Sequence, residues 1–222
     1  MSRAGRRAAL AAAWLVAACG GDKGGGTGPC TPGAATQLVK TGGDAQDWYF
    51  NNPLPAALSV KALDANNCAV PGVVINWAVA SGGGRVSPAQ STTGTNGVAS
   101  ATDSIGSSTP QSVTATPAIT TLPTITFSAT GAAPPTSGAV TLQNIAFNPS
   151  SVVVQSGSTV TWTWNDGATS HNVTFTSGPT PRPADSGTMA SGTHTGTFTT
   201  VGTYGYHCTL HGGMSGTVTV VH

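Results

Sequence analysis

Late in the chain the sequence reads Tyr206-His207-Cys208-Thr209-Leu210-His211-Gly212-Gly213-Met214. It places a thiol, an imidazole and a thioether within seven residues, spaced Cys-x-x-His-x-x-Met. Thiolate and thioether ligands favour Cu(I), whereas imidazole binds both Cu(I) and Cu(II). The spacing therefore indicates a redox-active copper site with Cys208, His211 and Met214 as ligands. A second imidazole completes such a site, and His171 is the candidate.

The flanks of this segment argue against an accidental grouping of a core Cys and a core Met, which is the alternative explanation. Residues 204–208 alternate as a β-strand does. Gly212 and Gly213 favour a tight loop, and Gly216–Val221 is typical of a closing strand. We therefore expect the three donors on a loop between two strands.

Further motifs lie upstream, and together with the ligand segment they carry a resemblance. They are Ile145-Ala146-Phe147-Asn148-Pro149, Gly157-Ser158-Thr159-Val160-Thr161-Trp162, Trp164-Asn165 and His171-Asn172. Over about residues 138–222 the chain resembles the cupredoxins, and its short ligand loop is most similar to those of amicyanin and the plastocyanin-like halocyanins. All four ligand types occur in the order that the family has them.

The resemblance implies a Greek-key β-sandwich over residues 139–222 that holds one type 1 (blue) copper ion. By this resemblance the metal ligands are His171, Cys208, His211 and Met214. Asn172 is similar to the family residue that ties the first ligand to the loop after the Cys, and Thr209 would be its partner. The resemblance also implies an electron carrier that exchanges electrons with a redox partner protein and is not an enzyme.

The start of the chain has the pattern of a targeting segment. Arg3, Arg6 and Arg7 precede a short apolar run, and Val16-Ala17-Ala18-Cys19 resembles a bacterial lipoprotein cleavage box. We therefore predict a lipoprotein signal peptide over residues 1–18 and a lipid on Cys19. The alternative is an ordinary secretory signal with an incidental Cys, and both alternatives export the chain.

The segment that follows is predicted to be a flexible tether over residues 19–29. It is rich in glycine and has nothing apolar to bury. A lipid-anchored domain on such a tether would stand in the cell envelope or periplasm, attached to the membrane through its N-terminal lipid. No Asp follows Cys19, which in a Gram-negative host favours the outer membrane.

Composition sets the limits for the rest of the chain. Charged residues make up 7% of it and the formal net charge is +1, so no basic surface is available for nucleic acid. Once the signal and tether are removed, the length allows two domains of roughly 100 residues. Thr, Ser, Val and Gly dominate and long helical patterns are absent, so we predict an all-β protein of two tandem β-sandwiches.

The first sandwich is predicted over residues 30–131, followed by a proline-containing linker at 132–138. Its expected strands are Leu58–Leu63, 73–79, 98–102, 113–115 and 125–128. Strands and turns at this spacing are typical of an immunoglobulin-like sandwich. The segments 60–64, 70–73, 81–84 and 95–99 resemble the invasin/intimin type of bacterial Ig-like domain. Such modules serve as spacers or adhesion units.

The chain has four cysteines, and each can be given a role. With Cys19 assigned to lipid and Cys208 to copper, Cys30 and Cys68 are left in an exported domain, where oxidation is permitted. We predict a Cys30–Cys68 disulfide, with two unpaired thiols as the alternative.

Three functional classes fit these features. We favour a monomeric electron carrier with one mononuclear copper centre. A periplasmic copper-delivery protein would use a Met-rich or His-rich site, yet the chain has only three Met. A surface adhesion lipoprotein is suggested by the first domain. A multicopper oxidase needs many more histidines than the 5 present.

Overall fold

The computed structural model describes residues 30–222, and the regular elements in this range are all β-strands. Within this range no helix is long and apolar enough to span a membrane. The predicted signal segment, the tether and Cys19 lie outside the described residues. Residues 31–222 form one compact unit whose strands pair into four sheets. The prediction of an all-β protein is confirmed.

The first sandwich contains nine strands. They are β1 (Gln37–Gly42), β2 (Gln46–Tyr49), β3 (Leu58–Leu63), β4 (Val74–Ser81), β5 (Gly84–Ser87), β6 (Gln90–Thr92), β7 (Val98–Ile105), β8 (Gln111–Pro117) and β9 (Ile125–Ala132). One sheet has the order β1-β3-β7-β5 and the other β2-β9-β8-β4-β6. Buried side chains such as Val60, Ile75, Trp77 and Phe127 form its core.

The second sandwich contains eight strands. They are β10 (Ser137–Gln143), β11 (Ala146–Asn148), β12 (Ser151–Gln155), β13 (Ser158–Trp164), β14 (Thr174–Phe175), β15 (Gly192–Phe198), β16 (Gly202–His207) and β17 (Ser215–Val221). Its sheets have the orders β11-β10-β13-β15 and β12-β17-β16-β14. The prediction of tandem β-sandwiches is therefore confirmed.

Strand alternation in the second sandwich decides which side chains reach its interior. In β13 the side chains of Val160, Trp162 and Trp164 are buried, and the threonines between them face outward. In β16 the inward series is Tyr204 and Tyr206. Cys208 continues this series just past the end of β16, so the same alternation turns its thiol inward.

The turn between β10 and β11 interrupts a stretch, Val140–Ile145, whose composition favours a continuous strand. β10 ends at Gln143, and Asn144 and Ile145 follow with φ angles of 54° and 56°. Two residues in this left-handed region make the hairpin turn that matches strand twist. Asn accepts the conformation readily, but for an ordinary L-residue it costs roughly 1–2 kcal/mol. The strand preference of Ile was therefore outweighed by the geometry of the turn.

The connection between the sandwiches is shorter than the predicted linker 132–138. β9 runs to Ala132 and β10 begins at Ser137, so residues 133–136 alone connect the strands. The carbonyl oxygen of Pro135 accepts a hydrogen bond from the Gln155 N–H at 2.7 Å. This bond fixes the end of the connection to the second sandwich.

Asn52 joins the two sandwiches at a second place. Its side chain is buried, its Oδ1 accepts the His222 N–H at 2.8 Å, and its Nδ2 donates to the His222 carbonyl at 3.3 Å. His222 directly follows β17, whose seven residues span about 20 Å. The contact with the first sandwich and the segment 208–214 therefore lie at opposite ends of β17.

The cysteines of the first sandwich lie at its start and in a turn. Cys30 and Cys68 are both disulfide-bonded. The Asp64 carboxylate accepts the Cys68 N–H and the Gly33 N–H, each at 2.8 Å. These bonds hold the chain before β1 against the turn after β3.

A buried carboxyl group lies in the core of the first sandwich. Asp103 on β7 is 1% exposed, and its Oδ1 has no hydrogen-bond partner within the described residues. Burial raises the pKa of Asp103 above its ordinary value of 3.8, although a hydrogen bond from Gln111 opposes the shift. The folded protein therefore binds this proton more tightly than the unfolded chain does.

We predict that Asp103→Asn stabilises the first sandwich at neutral pH. In the parent protein the free energy of unfolding falls as the pH rises above 3.8, because the folded state must ionise a buried group. The amide cannot ionise, so this part of the pH dependence disappears. Urea unfolding at a series of pH values measures the free energy of unfolding of both proteins. The exposed Asp47→Asn serves as control, and a neutral-pH loss of stability in Asp103→Asn would contradict the prediction.

Candidate metal centre

The loop between β16 and β17 is closed by its own backbone. The Cys208 N–H donates to the Met214 carbonyl at 3.0 Å, and the Met214 N–H donates to the His211 carbonyl at 3.3 Å. Gly213 has a φ angle of 85°, a conformation that favours glycine. The loop thus turns back on itself and brings Cys208, His211 and Met214 to one end of the sandwich.

His171 reaches the same end from the segment between β13 and β14. Its backbone exchanges two hydrogen bonds with Met189, of 2.8 Å and 2.9 Å, and its carbonyl accepts the Trp164 indole N–H at 3.1 Å. The His171 side chain is completely buried. Met189 belongs to the crossing segment 177–191, so this segment helps to fix His171.

Three predicted ligands converge. The metal-binding atoms of His171, Cys208 and His211 all lie within 4.8 Å of one another. The two Nδ1 atoms are 3.1 Å apart, and Cys208 Sγ lies 3.9 Å from His171 Nδ1 and 3.5 Å from His211 Nδ1. Cys208 is a free thiol. Two imidazole nitrogens and a thiol facing one point make a donor set that fits copper.

His171, Cys208 and His211 form a triangle of donors that is the single group of its kind in residues 30–222. No other three His, Cys, Asp or Glu side chains in that range come together closely enough to hold a metal. His207 is half-buried and follows Tyr206 on β16, so it points to the other face. His194 Nε2 lies 3.0 Å from the Ala184 carbonyl. The remaining described histidine, His222, is in contact with Asn52.

Met214 lies next to the triangle at the end of the loop. Its side chain is buried, with 4% exposed, although it follows two glycines. Met214 belongs to the core cluster that also contains Cys208 and Tyr206. The thioether is therefore available on the inner side of the loop.

Asn172 and Thr209 connect the two segments that carry the ligands. Asn172 Nδ2 donates to Thr209 Oγ1 at 2.7 Å, and the Thr209 N–H donates to Asn172 Oδ1 at 2.8 Å. Each of these residues directly follows a predicted ligand. The pair of bonds therefore holds the backbone after His171 against the backbone after Cys208.

Asp166 is a residue of the site that sequence reasoning missed. Its Oδ2 lies 2.9 Å from His171 Nε2, on the side of the ring away from Cys208. Hydrogen bonds from the Ile145 N–H and from His171 hold the pKa of Asp166 below its usual value. A carboxylate only accepts, so Nε2 carries the proton and Nδ1 is left free toward the other donors. The sequence Asn165-Asp166-Gly167 gave no sign beyond that of an ordinary turn.

Exposure differs between the two histidines. His171 is completely buried, whereas His211 is partly exposed. Leu210, beside His211, is 50% exposed and is one of the few large apolar side chains on the described surface. The one ring edge of the site that reaches solvent therefore lies in an apolar setting.

Comparison with known proteins agrees with this arrangement. Residues 136–221 match the model of the copper binding proteins of the plastocyanin/azurin family. A plastocyanin from Scenedesmus fuscus is 37% identical over 86 residues, covering 34% of this chain and 87% of that protein. Amicyanin-alpha from Methylorubrum extorquens is 40% identical over 90 residues, covering 40% of this chain and 75% of that protein. A solved structure of a reduced amicyanin variant has 33% identity, covers 38% of this chain and 82% of that chain, and gives a TM-score of 0.31.

The matched segment contains the whole convergent group of His171, Cys208 and His211. Most of the length of both named relatives is covered at an identity above 30%. Through residues 136–221 the chain therefore belongs to the plastocyanin/azurin family of copper binding proteins, and its cofactor is copper.

Proposed function

We propose that this protein is an exported, lipid-anchored electron carrier with one mononuclear type 1 copper site. The observation that carries the proposal is the convergence of His171 Nδ1, His211 Nδ1 and Cys208 Sγ at one end of the second sandwich. When bound there, copper supplies a one-electron Cu(I)/Cu(II) couple. The imidazoles of His171 and His211, the Cys208 thiolate and the Met214 thioether would hold it.

The contribution of the protein is to keep these ligands in place. The Asn172–Thr209 pair ties the two ligand segments to each other, and the backbone bonds between His171 and Met189 tie the first of them to the crossing segment 177–191. A ligand set that is fixed in this way cannot relax fully to the geometry that either oxidation state prefers. The structural change on electron transfer stays small, and so does its energetic cost.

The same geometry suggests where electrons enter and leave. Cys208 and His171 are buried, which excludes water from the thiolate and from the first imidazole. The partly exposed edge of His211 and the neighbouring Leu210 offer an apolar contact surface. We propose this end of the sandwich as the docking place of a redox partner protein.

Copper delivery is a weaker alternative because the donors are few and mostly buried. A delivery protein must release its ion, and an open site rich in Met or His would serve that better. The described residues hold two Met, Met189 and Met214, and one convergent group of donors. A carrier that retains its copper fits these features.

The first sandwich and the N-terminal segment have accessory roles in this proposal. We assign residues 30–131 to a bacterial Ig-like spacer, on the strand spacing and on the segments that resemble the invasin/intimin type. The basic start and Val16-Ala17-Ala18-Cys19 support export to the cell envelope and lipidation of Cys19. The spacer and tether would hold the copper domain away from the membrane.

We predict that Cys208→Ala abolishes the intense visible band of the copper-loaded protein. The band requires charge transfer from a thiolate, and alanine offers no sulfur. Absorption spectroscopy after titration with Cu(II) measures it, and wild type should bind one copper ion per chain. His207→Ala is the matched control and should keep the band, because His207 faces away from the site. A blue Cys208→Ala protein would refute the ligand assignment.

We predict opposite changes in reduction potential for two substitutions of Met214. Met214→Gln should lower the potential, because an amide oxygen favours Cu(II) more than a thioether does. Met214→Leu should raise it, because no donor remains to stabilise Cu(II). Voltammetry of the copper-loaded proteins measures both. Shifts of equal sign in the two variants would show that Met214 acts through packing and not as a ligand.

We predict that Cys19→Ser releases the protein from the membrane fraction. Serine cannot accept the thioether-linked lipid, and the detergent phase of a phase-partition experiment should lose the protein. The wild-type chain expressed in the same bacterium is the reference. Recovery of wild type in the aqueous phase would mean that Cys19 carries no lipid.

A further inference from the structure

Three hydrogen-bond donors converge on the carboxylate of Asp166. Its Oδ1 accepts the Asn144 N–H at 3.0 Å, and its Oδ2 accepts the Ile145 N–H at 3.0 Å. The same Oδ2 lies 2.9 Å from His171 Nε2. A carboxylate has enough lone pairs for all three donors, whereas a side-chain amide has one accepting oxygen and places an NH₂ group where the other acceptor stood. The side chain of Asp166 therefore satisfies all three donors, which an amide at this position could not do.

The backbone around Asp166 is itself held in place. The Thr169 N–H donates to the Asp166 carbonyl at 3.1 Å, and the Asn165 N–H donates to the Leu142 carbonyl at 2.9 Å. These bonds fix the turn after β13 against the end of β10. The carboxylate thus has a defined position from which to act on the imidazole ring.

The Asn144–Ile145 turn adds a second observation. Both residues have positive φ angles, and Ile145 is β-branched and 51% exposed. Such outliers persist where surrounding interactions impose them, and they cluster at functional sites. Here the turn directs two successive N–H groups at one carboxylate. The strained turn is therefore part of the cradle that holds Asp166 facing His171.

We propose that Asp166 is a positioning residue for the copper ligand His171, and that the Asn144–Ile145 turn holds it in that role. Asp166 keeps the proton of His171 on Nε2, so that Nδ1 faces Cys208 and His211. Its negative charge also favours the more positive oxidised site and lowers the reduction potential. This inference rests on the proposed electron-carrier function and goes beyond the four ligands.

The copper domain has few other charges, so an effect on the reduction potential can be assigned to Asp166. Asp166 and Asp185 are the only acidic residues of the segment 136–221, and Arg182 is its only Lys or Arg. Asp185 accepts the Phe175 N–H at 2.9 Å in the crossing segment. Both acids bind backbone N–H groups, but Asp166 alone of the two also contacts a ligand. A charge-poor domain leaves little else to oppose the field of one carboxylate beside the site.

The test compares two identical substitutions in the full-length protein. In Asp166→Asn the potential of the copper-loaded protein should shift upward, because the charge is lost and the amide cannot satisfy three donors. Asp185→Asn removes the same charge from the same domain and should leave the potential close to that of wild type. Equal shifts in both variants, or no shift in Asp166→Asn, would overturn the proposal.

A second measurement does not need copper. Imidazole ¹⁵N NMR of the copper-free protein should show His171 protonated at Nε2 in wild type and in Asp185→Asn. In Asp166→Asn the tautomer of His171 with the proton on Nε2 should no longer be the preferred one. A wild-type protein with His171 protonated at Nδ1 would overturn the proposal. Because this result is independent of the blue band, the positioning role can be tested even if the electron-carrier function fails.

A double variant separates the effect of Asp166 on the reduction potential from its effect on folding stability. Asp166→Asn combined with Ile145→Gly keeps the N–H donor at position 145 and removes the conformational strain, since glycine favours a positive φ. If Asp166→Asn alone folds poorly, the double variant should fold better and should still show the raised potential. A return of the potential to the wild-type value in a folded double variant would show that Asp166 acts through stability alone.

Discussion

The site depends on holding together two chain segments that lie 37 residues apart. One carries His171 and the other carries Cys208, and neither belongs to a strand at the ligand itself. The two hydrogen bonds between Asn172 and Thr209 close this gap immediately beside both ligands. Without such a link, each ligand could follow the preference of the metal. With it, the spacing of the donors is a property of the protein.

The second sandwich supplies the stiffness behind that link. Trp162 makes edge-on ring contacts with Tyr206 and Phe175, and its ring centroid lies 5.4 Å from that of Tyr206. Gly216 lies under the Tyr206 ring, where a β-carbon would come within 2.5 Å of the ring. The aromatic core therefore fixes β16 and the start of β17, the two strands between which the ligand loop is suspended. Close packing of this kind resists small displacements and transmits strain.

The parts of the site that could be predicted are those whose residues lie close together in the sequence. Cys208, His211 and Met214 share one short loop, and strand alternation alone directs Cys208 inward. Asp166 could not be found in this way, because its role depends on Asn144 and Ile145, which meet it only in the folded sheet. The strands of the fold also differ in how well the sequence predicts them. The alternating strand β3 was predicted with its observed bounds, whereas the short strands β5, β6 and β11 have too few residues to show a period.

The position of the first sandwich bears on how a partner could approach. Asn52 forms two hydrogen bonds with the backbone of His222, just beyond β17. The first sandwich therefore lies at the end of that strand opposite the ligand loop and leaves the copper end uncovered. The copper domain has few charges with which to steer a partner from a distance. In the docking proposed above, recognition at this end would therefore come from short-range apolar contact around Leu210 and His211. Such contacts form at the slower rates of unsteered association and respond little to salt.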